Sequence, residues 1–399
     1  MSAAAVFNLA VRFAQLLYWG GGRDLRHRYD EAQLWFAGGS VYEELYTAIY
    51  PPATYAMLWP FLGYSSFALV KWIWAVLMGA ALAWLSTLLV KESEARSGLE
   101  RVCVALVPLS MYATGSAIGH GQVTIQVLAL LVCGLTLICR GRGRWRDDLL
   151  GGGLLVATLV KPTISAPFMW MALLLPGKLR RVVIIGCGYA ALTLLATEFQ
   201  GIGLLSSHLA WARSAGSEAV KASDAGGGVL EGNYGNLNSW LGALGLFEWN
   251  LPASLLALLA LGYWIHRHRH GDFWLILGVV ALVARFWSYH RLYDDMLILL
   301  PMIALFRIAS RGPAPDGHDV VSGVLLAVAL AAVLVPSTPI GWLPARGTSL
   351  LELFRYLQTT LWVVMLLFLL HRARLEEQRR KSGLEGRSAD LPQLAERSA

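Results

Sequence analysis

The sequence predicts an all-α polytopic membrane protein, and three observations carry that reading. The 399 residues are 56% hydrophobic, with a mean hydropathy of +0.53. Only 15% are charged, whereas a soluble domain carries charge at roughly a quarter of its positions. The apolar residues fall in long runs separated by short polar loops, the pattern of helices that cross a bilayer with every backbone group satisfied internally. Full and interrupted runs together make about 10–12 transmembrane helices.

The first run, residues 3–19, is short and carries Asn8, Arg12 and Gln15. Side chains of that polarity face other helices and not lipid. Residues 23–62 follow, too polar to cross a bilayer and too aromatic for a solvated tail. Tyr50-Pro51-Pro52 stops any helix entering from the N-terminal side, so this stretch reads as a first extracytoplasmic loop carrying amphipathic helices. A long run covers 66–90, and runs at 101–118 and 123–139 are joined by Gly119-His120-Gly121-Gln122. Residues 149–160 and 163–175 are each too short to cross and meet at Lys161-Pro162, which predicts a broken helix or re-entrant pair. A run at 182–199 precedes a second polar region, 201–250, rich in Gly and Ser. Further runs lie at 251–266, 273–288, 291–309, 320–340 and 349–371, and a charged, flexible cytoplasmic tail occupies 372–399.

Charge orients these runs. With the N-terminus cytoplasmic, the basic segments 91–101, 140–146, 178–181, 266–270 and 307–311 and the tail share the cytoplasmic side, as the positive-inside rule requires. The rule fails if Lys161-Pro162 is read through as one continuous span. Under this orientation Asp24, His120, Gln122, Lys161, Asn233, Asn236, Asn238, His290 and Arg291 all collect at the outer boundary, which points to a shared site.

Composition excludes several classes. The four cysteines (103, 133, 139 and 187) lie within apolar runs without metal-ligand spacing, so they read as buried thiols. The net charge of +7 is spread over loops and tail; topology accounts for it, and nucleic acid is not an expected partner. Sixteen Trp suit a chain with many membrane–water interfaces. No phosphate loop, HExxH or nucleophile elbow occurs in a supporting context.

The candidate residues each have a functional and a structural reading. Asp24 stands among Arg23, Arg26 and Arg28, either as a general base toward an acceptor hydroxyl or as a loop carboxylate balancing those arginines. Asp30 and Glu31 compete for the base role, although helical spacing places Asp30 on a different face from Asp24. Lys161, between two apolar stretches and beside a proline, faces a wet cavity and an anion such as phosphate, or snorkels to the headgroups. His290 and Arg291, in Phe-Trp-Ser-Tyr-His-Arg, are phosphate contacts or interface residues, and Arg285 adds a cation on the same side. His120 and Gln122 offer hydrogen bonds to a polyol or phosphate, or form a plain interhelical turn. Asn233, Asn236, Asn238 and Trp240 combine the amides and aromatic groups that sugar recognition uses, or make a polar loop. The glycines at 151–153 suit helix packing and those at 226–228 a flexible loop.

Together these residues resemble glycosyltransferase family 87. The likeness rests on an acidic residue just past the first helix, Gly39-Ser40-Val41-Tyr42, Tyr50-Pro51-Pro52 with an apolar run to Pro60, Gly119-His120-Gly121-Gln122, Lys161-Pro162 and Ser288-Tyr289-His290, over roughly residues 20–310. The resemblance implies a C-type membrane glycosyltransferase fold, one domain over 1–371, that uses a polyprenyl-phosphate sugar. It implies Asp24 as catalytic base, with Lys161, His290 and Arg291 at the donor phosphate. Tyr42, His120, Gln122, Asn236 and Asn238 would lie toward acceptor or sugar. The expected activity is inverting transfer of a hexose, mannose foremost, to a lipid or glycan hydroxyl outside the plasma (inner) membrane. Neither a cofactor nor a metal ion is required by such a site. Arabinose- or glucose-dependent transfer, a lipid-linked sugar flippase and a non-catalytic envelope scaffold are the rival readings. A flippase would place its ionisable groups nearer the midplane and show repeated halves.

Overall fold

The computed structural model describes residues 2–45, 47–64, 66–141, 143–176, 179–224, 235–311, 317–334 and 348–396. Every regular element among them is helical. The first is α1 (Ser2–Leu17), whose polar side chains face another helix, as expected, and there meet glycines. A Cβ on Gly115 would lie 3.0 Å from Asn8 Oδ1, and one on Gly119 would lie 2.8 Å from Gln15 Oε1. Arg12 donates to Gln15 Oε1 at 2.9 Å, so the amide is bonded within the same packed stripe.

The first loop folds into α2 (Arg23–Phe36), the single turn α3 (Val41–Glu44) and α4 (Pro52–Leu62). Pro52 opens α4 at a position whose N–H would be unbonded in any case. Trp35 stacks on Tyr55 with ring centroids 4.6 Å apart, and its indole N–H donates to Ala196 O, locking the loop onto a later helix.

The membrane helices follow as α5 (Phe67–Glu92), α6 (Gly98–Ser110), α7 (Tyr112–His120), α8 (Thr124–Arg140), α9 (Trp145–Thr158), α10 (Pro162–Leu174) and α11 (Arg180–Glu198). Helix α5, α11 and the stretch Leu353–Ser382 are long and apolar enough to cross a membrane singly, and α6 with α7 forms a fourth, bent by 42°. Among the described residues this is fewer unbroken spans than the run of apolar segments suggests. The run expected at 101–118 breaks at Met111, where the backbone turns extended three residues after Pro108; the Thr114 hydroxyl bonds Pro108 O across the break. Glycine lets α8 and α9 approach closely: a Cβ on Gly151 would lie 2.5 Å from Ile138 Cγ2.

The break at Lys161-Pro162 is present. Pro162 is the first residue of α10, and Lys161 before it takes φ −130°, ψ 80°, outside the helical region that a following proline disfavours. Pro167 removes the N–H that Thr163 O would accept, and the Trp287 indole donates to that carbonyl instead, at 2.8 Å. Thr54 from α4 donates to Val160 O at 3.1 Å, so the first loop is fastened to the same break.

The described residues of the second polar region form α12 (Leu204–Asp224), α13 (Leu237–Ala243) and a 3-10 turn at Phe247–Trp249, where the Gly/Ser content suggests loop. Asn233 and the glycines at 226–228 lie outside the described residues. The chain ends in α14 (Asn250–His268), α15 (Phe273–Phe286), a 3-10 segment Leu292–Ile298, α16 (Leu299–Ser310), α17 (His318–Leu334) and α18 (Thr348–Glu396). The run expected to begin at 291 thus starts as a 3-10 turn. Helix α18 continues through the charged residues to Glu396, where the sequence suggests a flexible tail.

Two polar layers sit at opposite ends of α5. Near its start, Lys71 donates to Leu17 O and Trp74 to Gly121 O. At its finish, Glu92 pairs with Arg140 and Glu94 with Arg307, and Asp272 receives Arg311. Trp74 and Lys91 are separated by about 25 Å of helix axis at 1.5 Å per residue. The apolar core fills the space between.

Candidate active site

The layer at the start of α5 holds a chain of contacts built from four separate elements. Helix α7 ends in a Schellman motif: Gly121 N donates to Ile118 O and Gln122 N to Ala117 O. Gly121 takes φ +72°, and a Cβ there would stand 2.6 Å from Leu25 Cβ, so both conformation and space require glycine. That turn fixes Gln122 just beyond the helix end. Asp24 is the second residue of α2, in the first turn, where backbone N–H groups have no partner within the helix.

Gln122 Nε2 donates to Asp24 Oδ2 at 2.5 Å, and Gln122 Oε1 accepts from Lys161 Nζ at 3.4 Å. This amide orientation is the one the partners dictate, since an ionised carboxylate only accepts and an ammonium only donates. Lys161 Nζ also donates to Thr124 Oγ1 at 3.2 Å and to Asp294 Oδ1 at 2.6 Å. An ammonium has three N–H groups, so all three are placed. The Tyr293 ring lies 4.7 Å from the same nitrogen, adding a cation–π contact.

Asp294 is as fully engaged as Lys161. Its Oδ1 accepts from Lys161 and from Thr124 Oγ1 at 3.0 Å; its Oδ2 accepts from His290 Nδ1 at 3.1 Å and from Arg291 N at 3.3 Å. The sequence reading assigned Asp294 no role. In sequence Tyr-Asp-Asp looks like the acidic start of a helix, and nothing local announces a partner in a different helix. Lys161, His290 and Asp294 are all buried. The anion that Lys161 faces within the protein is therefore Asp294. Arg285, read as a further cation on the same side, pairs with Asp295, which also accepts from the Tyr112 hydroxyl.

A small pocket opens beside this chain, lined by Asp24, Arg28, Tyr50, Leu58, Trp74, Gly121, Gln122, Val123 and Val160. Asp24 is half-buried in its wall. Arg28 is held there by Glu31 at 2.6 Å and by Thr47 O at 2.8 Å, with its guanidinium over the Tyr50 ring at 4.3 Å. Glu31 is fully buried behind it and accepts from Thr47 Oγ1 at 2.8 Å. Burial pushes the Glu31 carboxyl up to about 7, against the opposing pull of Arg28. Asp30 faces away and pairs with Arg26. A larger groove at the far end of α5, lined by Ser86, Lys91, Glu94 and Arg101, includes none of the converging residues.

The other sequence candidates divide. His120 is exposed, its Nδ1 bonded to Ser116 O, with its ring 6.2 Å from that of Tyr293. Arg291 is exposed and donates to the Tyr289 hydroxyl. Tyr42 spends its hydroxyl on Tyr50 O at 2.7 Å, and Asn236 caps α13 through Ser239 N at 3.0 Å. Neither lines the pocket. Asn238 is half-buried, and its Oδ1 has no partner among the described residues.

The model of glycosyltransferase family 87 matches residues 48–310. The chain belongs to glycosyltransferase family 87. The match takes in Gln122, Thr124, Lys161, His290 and Asp294 of this glycosyltransferase and starts after Asp24. A search of the curated proteins finds no match. An all-α glycosyltransferase with several apolar helices is a membrane enzyme, and its substrates are a sugar donor and an acceptor.

Proposed function

We propose that this glycosyltransferase moves a hexose, mannose foremost, from a polyprenyl-phosphate donor to a lipid or glycan hydroxyl at the outer face of the plasma membrane, within a C-type fold. The observation that carries the reading is the continuous contact chain from Asp24 through Gln122 and Lys161 to Asp294 and His290. It sets a half-exposed carboxylate in a pocket wall, joined through Gln122 to a buried network in which Lys161 is paired with Asp294.

A polyprenyl phosphate is a leaving group already anchored in the bilayer, so no nucleotide needs a binding loop. The acceptor oxygen attacks C1 of the sugar, the bond from C1 to the phosphate oxygen breaks, and Asp24 takes the hydroxyl proton. Attack opposite the leaving group inverts C1, so a β-linked donor gives an α-linked product. The network supplies charge balance at the departing phosphate through position and electrostatics. Lys161 has no N–H to spare, and its longest contact is to Gln122 at 3.4 Å. The donor phosphate takes the place of Gln122 Oε1 at Lys161, and the amide thereby loosens its hold on Asp24 when the donor is seated.

The test is an assay of purified protein against polyprenyl-phosphate mannose, glucose and arabinose, with mass detection of the glycosylated acceptor. Transfer from the mannose donor is expected. Transfer from nucleotide sugars alone, or lipid movement with no transfer, overturns the proposal.

A further inference from the structure

His290 is the member of the network whose chemistry is least complete. Its side chain is fully buried, and its Nδ1 lies 3.1 Å from Asp294 Oδ2. Asp294 is ionised beside Lys161 and can only accept, so Nδ1 carries the proton of this hydrogen bond. In the neutral ring the other nitrogen, Nε2, then presents a lone pair. That atom is buried and has no hydrogen-bond partner among the described residues. A buried polar atom in this condition costs stability and marks a place where a ligand can bond.

A lone pair repels an anion. A phosphodiester approaching His290 meets an acceptor on an acceptor unless the ring first gains a proton at Nε2. Burial holds His290 below the ordinary histidine range, so the ring of the free protein is neutral near pH 7. The carboxylate of Asp294 stands ready to offset an imidazolium, as an orienting carboxylate does for a histidine that gains charge during a reaction.

Resting on the donor assignment made above, we infer that binding of the polyprenyl-phosphate sugar is coupled to uptake of one proton at His290 Nε2, with Asp294 as the positioning residue that fixes the ring and receives Lys161 on its other oxygen. The ring then donates through both nitrogens, to Asp294 and to the phosphate. When the bond from C1 to the phosphate oxygen breaks, the departing phosphate gains a second negative charge and takes the Nε2 proton. The acceptor proton stays on Asp24. One proton enters with the donor and one leaves with the phosphate, so His290 returns to its neutral form and Asp24 reloads by exchange with water.

Other titratable and charged groups face this loop and need separating from His290. They are Lys161 at the start of α10, Arg285 on α15, Asp295 within the 3-10 segment, and Tyr112 and His120 on α7. Of these His120 is the only other histidine, and it is exposed.

The experiment is calorimetric binding of short-chain citronellyl phosphodiesters of mannose, glucose and arabinose, repeated in buffers of different ionisation enthalpy. A phosphodiester stays a monoanion through the neutral range, so any proton taken up lands on the protein. The expected result at about pH 8 is uptake of close to one proton, with Kd weakening by up to tenfold per pH unit above neutrality. His120→Gln, which can change affinity for the sugar, keeps the same proton uptake per donor bound. His290→Gln, which offers an amide N–H without titrating, binds with no uptake and a flat pH dependence. Asp294→Asn loses most of the uptake and binds more than tenfold more weakly at about pH 8, where the imidazolium most needs its carboxylate. Binding without proton uptake, or uptake that survives His290→Gln, overturns this inference and leaves the donor assignment standing. Failure of all three phosphodiesters to bind the parent protein overturns both.

Discussion

Asp24 and Lys161 meet across one side chain: Gln122 donates to the Asp24 carboxylate at 2.5 Å and accepts from the Lys161 ammonium at 3.4 Å. A residue on the first loop and a residue at a helix break are thereby placed in one electrostatic unit. Breaking that unit at different points has different expected consequences.

The Lys161–Asp294 pair is buried on both sides, at 2.6 Å. Removing one partner strands a charge, so Lys161→Met is expected to destabilise the protein by about 3–5 kcal/mol. Lys161→Met combined with Asp294→Leu strands neither, and it unfolds at a higher temperature than Lys161→Met alone. Thermal unfolding in detergent at a fixed scan rate distinguishes them.

Gly121→Ala places a non-glycine residue at φ +72° with its Cβ 2.6 Å from Leu25 Cβ. Left-handed backbone and steric overlap together cost about 2 kcal/mol or more. Because this turn aims Gln122, transfer is expected to fall further than stability alone accounts for. Comparing initial rates at equal amounts of folded protein, measured by size-exclusion chromatography, checks this.

Glu31 gives a pH dependence whose sign is fixed. Its folded-state carboxyl lies near 7 and its ordinary value is 4.5. The folded protein therefore holds the proton more tightly than the unfolded chain. The stabilisation is fully present below about pH 4.5 and is lost as pH rises through 7, by at most about 3 kcal/mol. Unfolding temperatures across that window should decline for the parent and stay flatter for Glu31→Gln. An equal slope in both proteins places the titration elsewhere.

Much of this architecture was legible in the chain, for identifiable reasons. Hydrophobic runs marked the helices, and Pro162 marked the break because proline both restricts its predecessor and removes a donor. Lys161 stood out as a cation with no local excuse, and Asn8, Arg12 and Gln15 announced a helix that faces other helices and not lipid. Asp294 was not legible. Its importance comes from Lys161 and Thr124, each more than a hundred residues away in sequence, and a single chain carries no trace of that pairing. Tyr42 and Asn236 misdirected for the opposite reason: sugar-like residue types that the fold uses for backbone hydrogen bonds. Met111 shows the same limit, since Pro108 lies inside a run that hydropathy reads as continuous.

The central claim is that Asp24 takes the proton of the acceptor hydroxyl in a pocket where the donor is held independently of it. Single-turnover transfer by Asp24→Asn, with the polyprenyl-phosphate mannose donor already bound, measures this most directly. The account predicts donor affinity within a few-fold of the parent and a transfer rate lower by about 10²–10⁴. Transfer at the parental rate from the bound donor contradicts it.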